Sequence, residues 1–179
     1  MVVGAGFAGL YALHTGGNEM HKGAGWPSYY LEMHVWNGNT MAMQMLSMIC
    51  SGVFEEIPGL RLVAIETGIA WAAALSWAMD DAFRAFPETE TTKLSRTPSE
   101  YLREHWWFTT QPIEEPEDPE HLALAFDALG MLDRIVFSSD YPHWDFDAPS
   151  QTLPPSIPKD DKARILAGNA CSLYGLPRR

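Results

Sequence analysis

The sequence predicts an α/β fold in which parallel strands alternate with helices, and three observations predict it. Four short apolar runs, at 10–14, 60–65, 106–110 and 135–138, have the length and composition of buried strands. Each is followed, after a loop, by a stretch of helical periodicity. Three of the four runs end at an ionisable residue, His14, Glu66 or Asp140, and the ends lie tens of residues apart, as parallel βα units require.

The first run, Leu10 to His14, reads as a short buried strand with the imidazole at its C-terminal end and a Gly-rich loop after it. Tyr29-Tyr-Leu-Glu-Met-His34 is an aromatic stretch suited to lie over a pocket, with Glu32 and His34 read as a solvated helix start. From Asn39 to Ile57, Met41, Met45, Met48, Ile49 and Val53 recur at helical spacing, with Asn39 or Thr40 as N-cap and Pro58-Gly59 as the stop. That stripe is core packing rather than a cofactor box.

Leu60 to Ile65 is the second strand, and Glu66 stands at its end. A carboxylate there is costly unless it is paired or faces a cleft. The Ala- and Trp-rich stretch Ile69 to Phe86 is the next helix, and 88–98 a polar linker. Ser99 to His105 reads as a short helical turn with Ser99 as N-cap, leading into the third strand, Trp106 to Thr110. The acidic, Pro-punctuated run 111–119 is a solvated approach to a helix over Asp118 to Leu129, which Gly130 ends.

The fourth strand carries the chemistry. Ile135, Val136, Phe137 and Ser138 run without polar interruption towards Asp140, and Pro142 prevents continuation, so Asp140, Tyr141, His143 and Trp144 fall on a loop over the end of the sheet. The C-terminal ends of parallel strands are where such folds hold their active sites. A last helix spans Lys159 to Tyr174.

Composition narrows the function classes. The 179 residues are 46% apolar and 20% charged, enough for one domain with a core. A net charge of −11, from 12 basic and 23 acidic residues, argues against nucleic acid, because nothing would neutralise phosphates along a strand. There is no apolar run long enough for a membrane span and no basic segment ahead of the apolar start, so neither a membrane partner nor a secretory signal is expected. Two distant cysteines, Cys50 and Cys171, suit a reducing compartment, and the expected location is cytoplasmic.

The start of the chain reads differently. Gly4-x-Gly6-x-x-Gly9 has the spacing of a dinucleotide-binding turn, and up to His14 the residues resemble the start of Baeyer-Villiger flavin monooxygenases. Such a motif needs a preceding strand, a full helix and a second strand ending in an acid roughly 20 residues later. Only Met1 to Val3 precede Gly4, and Thr15-Gly-Gly-Asn18 breaks any helix. Residues 1–13 are therefore read as a flavin-like start without a functional domain, and FAD is not expected.

From His14 onward the chain resembles the amidohydrolase-related barrels, the branch that includes aminocarboxymuconate-semialdehyde decarboxylase. The stretches that carry the resemblance are H-T-G-G-N at 14–18, G-A-G-W-P-S-Y-Y-L-E-M-H at 23–34, G-V-F-E-E-I-P-G-L-R-L-V-A-I-E-T-G at 52–68, F-T-T-Q-P-I-E-E-P at 108–116, F-S-S-D-Y-P-H-W-D-F-D at 137–147 and I-L-A-G-N-A at 165–170. The resemblance implies that 14–179 is the C-terminal half of a (β/α) barrel, four βα units of a metal-dependent hydrolase. It makes His14 and Asp140 ligands of a divalent metal, usually zinc, and Asp140 also a catalytic base towards metal-bound water. Where decarboxylases of this branch carry a His on the next strand, this chain has Glu66, leaving it the general acid/base role. His143 and Trp144 would line the substrate pocket. The family's first-strand His-x-His pair is absent from the sequence, so the metal is expected to be incompletely ligated.

Three readings follow. The first is a metal-dependent hydrolase or carboxy-lyase acting on a small carboxylated or cyclic substrate, truncated and impaired as it stands. The second is a non-catalytic half-barrel, fragment or chimera, that associates with another copy through exposed sheet edges. The third, a flavin monooxygenase fragment, rests on the first residues alone.

Overall fold

In the computed structural model of the protein, which describes residues 2–6, 10–14, 25–86, 88–91 and 93–177, one five-stranded sheet organises the chain. Its strands are β1 (Val2–Gly6), β2 (Leu10–His14), β3 (Arg61–Ile65), β4 (Trp106–Thr109) and β5 (Ile135–Val136), hydrogen-bonded in that order. β2 through β5 are parallel, as the spacing of their ends predicts, and β1 is antiparallel to β2.

That first strand alters two expectations. The edge of β2, expected to be bare, is paired by the chain's own N-terminal segment, with Val2 opposite Leu13 and Gly6 opposite Leu10. The glycine motif is also recast: where a dinucleotide turn requires a helix after Gly9, the chain enters β2. Residues 15–24, with most of the first family-like stretch, lie outside the described residues.

Side chains alternate across the parallel strands and divide the interior in two. Leu62, Ala64, Trp106, Phe108 and Ile135 point to one face, where Tyr11 and Leu13 join them against the helices in the main core. Val63, Trp107 and Val136 point to the other, in a smaller cluster with Ile65 and Leu173. His14 is in register with Ile65 on β3, so it shares this second face.

Helices α1 (Tyr30–Val35), α2 (Asn37–Cys50), α3 (Val53–Glu56), α4 (Trp71–Ala85), α5 (Glu88–Thr91), α6 (Pro98–His105) and α7 (Glu120–Leu129) follow in chain order, and α2, α3, α4, α6 and α7 bury side chains in the main core. The methionine stripe packs as expected: Met41, Met45 and Ile49 of α2 are buried. Its helix begins two residues before Asn39, capped by the backbone of Trp36, and breaks at Gly52, whose φ of 76° only glycine adopts readily. Thr97, rather than Ser99, caps α6 in a reciprocal box with Glu100. Ser99 instead donates from its N–H and hydroxyl to the Asp80 carboxylate, at 2.9 and 2.7 Å.

The chain closes with α8 (Lys159–Ala163), a π turn (Arg164–Gly168) and α9 (Asn169–Tyr174), which follow one another without a gap. Asn169 Nδ2 donates to the carbonyls of Leu132 and Ile135, both at 2.7 Å, and so ties this last helix to the entry of β5. Among the described residues no helix is long and apolar enough to cross a membrane.

Candidate functional site

The ends of β2, β3, β4 and β5 meet around a cavity of about 230 Å³ whose walls include His14, Glu66, Gln111, Asp140, His143 and Asp145. Parallel register places them together: the last residues of β2 and β3 are partners, and the loops after β4 and β5 leave the sheet at the same end. Tyr30, Met33 and His34 of α1 lie along the same cavity, so the aromatic stretch faces a pocket as its composition indicates. Glu32 points elsewhere and accepts from the N–H groups of Ser28 and Tyr29, at 2.6 and 2.9 Å.

Two strand ends carry unusual backbone. Glu66 has φ 59° and Asp140 φ 53°, the only non-glycine residues with positive φ among those described. This left-handed region costs an L side chain energy that aspartate tolerates better than glutamate. Both residues stand where the strand must turn sharply and still deliver a carboxylate to the cavity.

The ionisable groups pair within the site. His14 Nε2 lies 2.8 Å from Glu66 Oε1, with the imidazole and the carboxyl each partly buried. His143 Nδ1 lies 2.7 Å from Asp140 Oδ2 across the turn closed by the His143 N–H to the Asp140 carbonyl, 2.9 Å. Asp140 is partly buried, His143 exposed, and Trp144 stands at the rim, 80% exposed. Next along the loop, burial pushes the Asp147 carboxyl above its ordinary range, with the Glu115 and Asp145 carboxylates adding to the effect.

Ligand atoms of Asp140, His143 and Asp145 all lie within 4.8 Å of one another. One imidazole and two carboxylates are a donor set suited to a borderline or hard divalent ion such as zinc or manganese. This differs in emphasis from the pair His14 and Asp140 expected from the sequence: both line the cavity, but His14 Nε2 faces Glu66. Asp145 is a new member, visible in the D-F-D of the sequence but not separable there from its neighbours.

Gln111 is a second residue that sequence reasoning missed. It is 2% exposed, its Nε2 donates to the Asp145 carbonyl at 2.9 Å, and its N–H donates to Ser138 Oγ at 3.1 Å. That donation fixes which end of the amide is which, and leaves Oε1 buried without a hydrogen-bond partner among the described residues. A buried acceptor left open at a cavity wall is suited to a donor on a bound molecule. Nothing in the sequence separates Gln111 from the acidic loop that follows it.

Solved structures share this architecture. A dihydroxybenzoic acid decarboxylase from Polaromonas sp. JS666, solved with bound manganese and the inhibitor 2-nitroresorcinol, superposes with a TM-score of 0.60 at 24% identity, over 79% of this chain and 42% of that one. Among curated proteins, the gamma-resorcylate decarboxylase of Rhodococcus jostii (strain RHA1) is 30% identical over 140 residues, 76% of this chain and 40% of that protein. The gamma-resorcylate decarboxylase of Polaromonas sp. (strain JS666) is 26% identical over 142 residues, 79% of this chain and 42% of that protein. The chain thus spans about two fifths of the length of the curated relatives it matches, and its four parallel strands form a partial barrel of the kind in the matching solved structures. The profile of the Amidohydrolase family matches residues 11–176, from the start of β2 to the end of α9 and through every wall of the cavity, and the chain belongs to that family.

Proposed function

We propose that this chain is a divalent-metal-dependent enzyme of the amidohydrolase family that removes CO2 from a small hydroxylated aromatic acid. The observation that carries the proposal is the convergence of Asp140, His143 and Asp145 within 4.8 Å on a cavity shared with the His14–Glu66 pair. The choice of decarboxylation over hydrolysis is supported by the curated relatives, both gamma-resorcylate decarboxylases. The choice of ion is supported by the manganese held in the Polaromonas structure and by the oxygen-rich donor set here.

An ion in this position would supply Lewis-acid polarisation of a substrate oxygen. The residues supply the rest. Asp140 accepts from His143 Nδ1, which fixes the orientation of that ring and leaves Nε2 of the neutral ring as a ligand or acceptor atom. Asp145 brings the second carboxylate, held by the Gln111 amide on its own carbonyl. Exchange of a carboxylate for hydrogen needs one proton delivered to the ring carbon as the carbon–carbon bond breaks and CO2 departs. Glu66 and His14, 2.8 Å apart, are the proton store on the cavity wall. Trp144 gives the rim an apolar surface for an aromatic ring.

The test combines metal content with turnover. After incubation with Mn²⁺ and desalting, elemental analysis is expected to find about one ion per chain, with affinity reduced about 10-fold or more in Asp140→Asn and Asp145→Asn. Gamma-resorcylate is the first substrate to assay for CO2 release. Failure of the wild-type chain to hold Mn²⁺ or Zn²⁺ overturns the proposal. A second reading, binding without turnover, is favoured by Glu66 in the place where the decarboxylases the sequence resembles carry a His, and ion retention with no CO2 release selects it.

A further inference from the structure

A larger cavity, about 570 Å³, opens at the other end of the sheet, where the parallel strands begin. Arg61 is the first residue of β3, Glu104 and His105 immediately precede β4, and Asp133 and Arg134 immediately precede β5; all five line it, and Arg164 of the π turn closes it. The length of β3 separates this cavity from Glu66 by about 16 Å, at roughly 3.3 Å per residue. It is a separate site from the one described above, and no step proposed for that site uses it.

Its charge stands out against the whole. In a chain of net charge −11 with only 12 basic residues, three arginines from three different elements converge here. The Arg134 guanidinium stacks 4.3 Å from the centroid of Trp107, which fixes its plane, and its Nε lies 3.5 Å from Asp133. Arg61 Nη1 donates to the Leu173 carbonyl at 3.3 Å, and Arg164 pairs with Asp161 at 3.2 Å. Of the two acids at the wall, Glu104 is bound by Arg96 and Asp133 by Arg134. With these partners included, Arg61, Arg96, Arg134 and Arg164 face Glu104, Asp133 and Asp161, and one positive charge remains.

His105 supplies a second, independent observation. It is 1% exposed, and its Nδ1 lies 2.8 Å from the Leu60 carbonyl, which only accepts, so Nδ1 carries the proton. Among the described residues Nε2 is buried without a hydrogen-bond partner, and Glu104 Oε2 lies 4.0 Å from it. In the neutral ring this nitrogen is a lone pair waiting for a donor, an arrangement native interiors seldom leave open.

We infer that this cavity binds a phosphate group. A tetrahedral oxyanion offers oxygens in the several directions from which the arginines approach, where a planar carboxylate offers two in one plane. A hydrogen phosphate also carries one P–OH, the donor that His105 Nε2 lacks. Sulfate matches its shape and charge but has no such proton near neutral pH. The ligand is hydrogen phosphate itself, because the second ionisation of a monoester falls at about pH 6 and leaves no P–OH for His105 Nε2 above neutral pH.

The experiment uses inorganic phosphate as the probe, titrated into ¹⁵N-labelled protein slightly above neutral pH, with sulfate as the comparator and ionic strength held constant with chloride. Phosphate is expected to shift the His105 Nε2 resonance saturably. Arg164→Gln, at a half-exposed side chain whose loss leaves the core intact, is expected to weaken phosphate about 10-fold, the loss of one charge-assisted contact. Sulfate is expected to bind several-fold more weakly than phosphate. A His105 resonance that phosphate leaves in place, an unchanged affinity in Arg164→Gln, or equal binding of sulfate overturns the inference.

Discussion

Glu66 and Asp140 hold their carboxylates at the cavity through left-handed backbone, φ 59° and 53°, and that geometry has an energetic consequence. A non-glycine residue held there costs of order 1–3 kcal/mol, which glycine would not incur. The side-chain bond that Asp140 makes, to the exposed His143, returns little of this because solvent screens it. Asp140→Gly is therefore expected to raise the unfolding free energy by about 1 kcal/mol in urea titrations while abolishing ion binding. Gain of stability with loss of binding marks a residue kept for its site. A loss of stability instead would show that the Asp140 carboxylate supports the fold. At Gly68 the requirement runs the other way: its φ is 68°, and a Cβ added there would stand 2.5 Å from Glu114 Oε1.

The reason Gly68 must stay bare belongs to the helix it introduces. Glu114 reaches from the loop after β4 to accept from the N–H groups of Ile69 and Ala70, at 2.8 and 2.9 Å, and so caps the start of α4 from outside that helix. Glu114→Ala is expected to cost about 1–2 kcal/mol, read from the shift in denaturation midpoint at unchanged slope. The sequence showed Glu114 only as one acid in a solvated run, because its partners lie 44 and 45 residues away. The same limit displaced the cap of α6. Ser99 had the right chemistry, but tertiary contact with Asp80 claims it, and the cap falls to Thr97. Thr97→Ala is expected to cost about 1 kcal/mol at neutral pH. Hydrogen bonds from the Thr97 hydroxyl and backbone hold the Glu100 carboxyl below its ordinary range. Because the folded state binds that proton less tightly than the unfolded one, this part of the stability is present above the ordinary carboxylate range and is lost as pH falls through the lowered value. The difference between wild type and Thr97→Ala should therefore narrow in acid. The four parallel strands, by contrast, were legible to within a residue or two, since apolar runs closed by polar ends admit few other structures, whereas β1 was hidden behind the glycine spacing of its segment.

At the scale of the molecule, the sheet gathers at one end the residues that local patterns could only mark one by one. His14, Glu66 and Asp140 were visible because each closes an apolar run, whereas Asp145 and Gln111 join them only through the folded loop. That loop is tied by the Gln111 bonds to Asp145 and Ser138, by the Asp147 N–H to the Ser139 carbonyl at 2.9 Å, and by the His143–Asp140 bonds across its own turn. An ion bound by Asp140, His143 and Asp145 would bridge both limbs of the loop in the native state alone, so its binding free energy adds to folding stability. At 100 times its dissociation constant Mn²⁺ is expected to add about 2.7 kcal/mol, a rise of roughly 5–10 °C in Tm for a chain of this size. Amide exchange should slow most between Asp140 and Asp147, where opening releases the ion, and less at the centre of β3 and β4, where opening already requires global unfolding. His143→Ala should shrink the rise in Tm. Gln111→Leu should shrink it too although Gln111 is outside the group of three donors, because it frees the Asp145 backbone and the second carboxylate must then be ordered by the ion itself. An undiminished rise in Gln111→Leu would mean that the loop holds Asp145 in place without the amide, and would remove Gln111 from the site while leaving the donors intact.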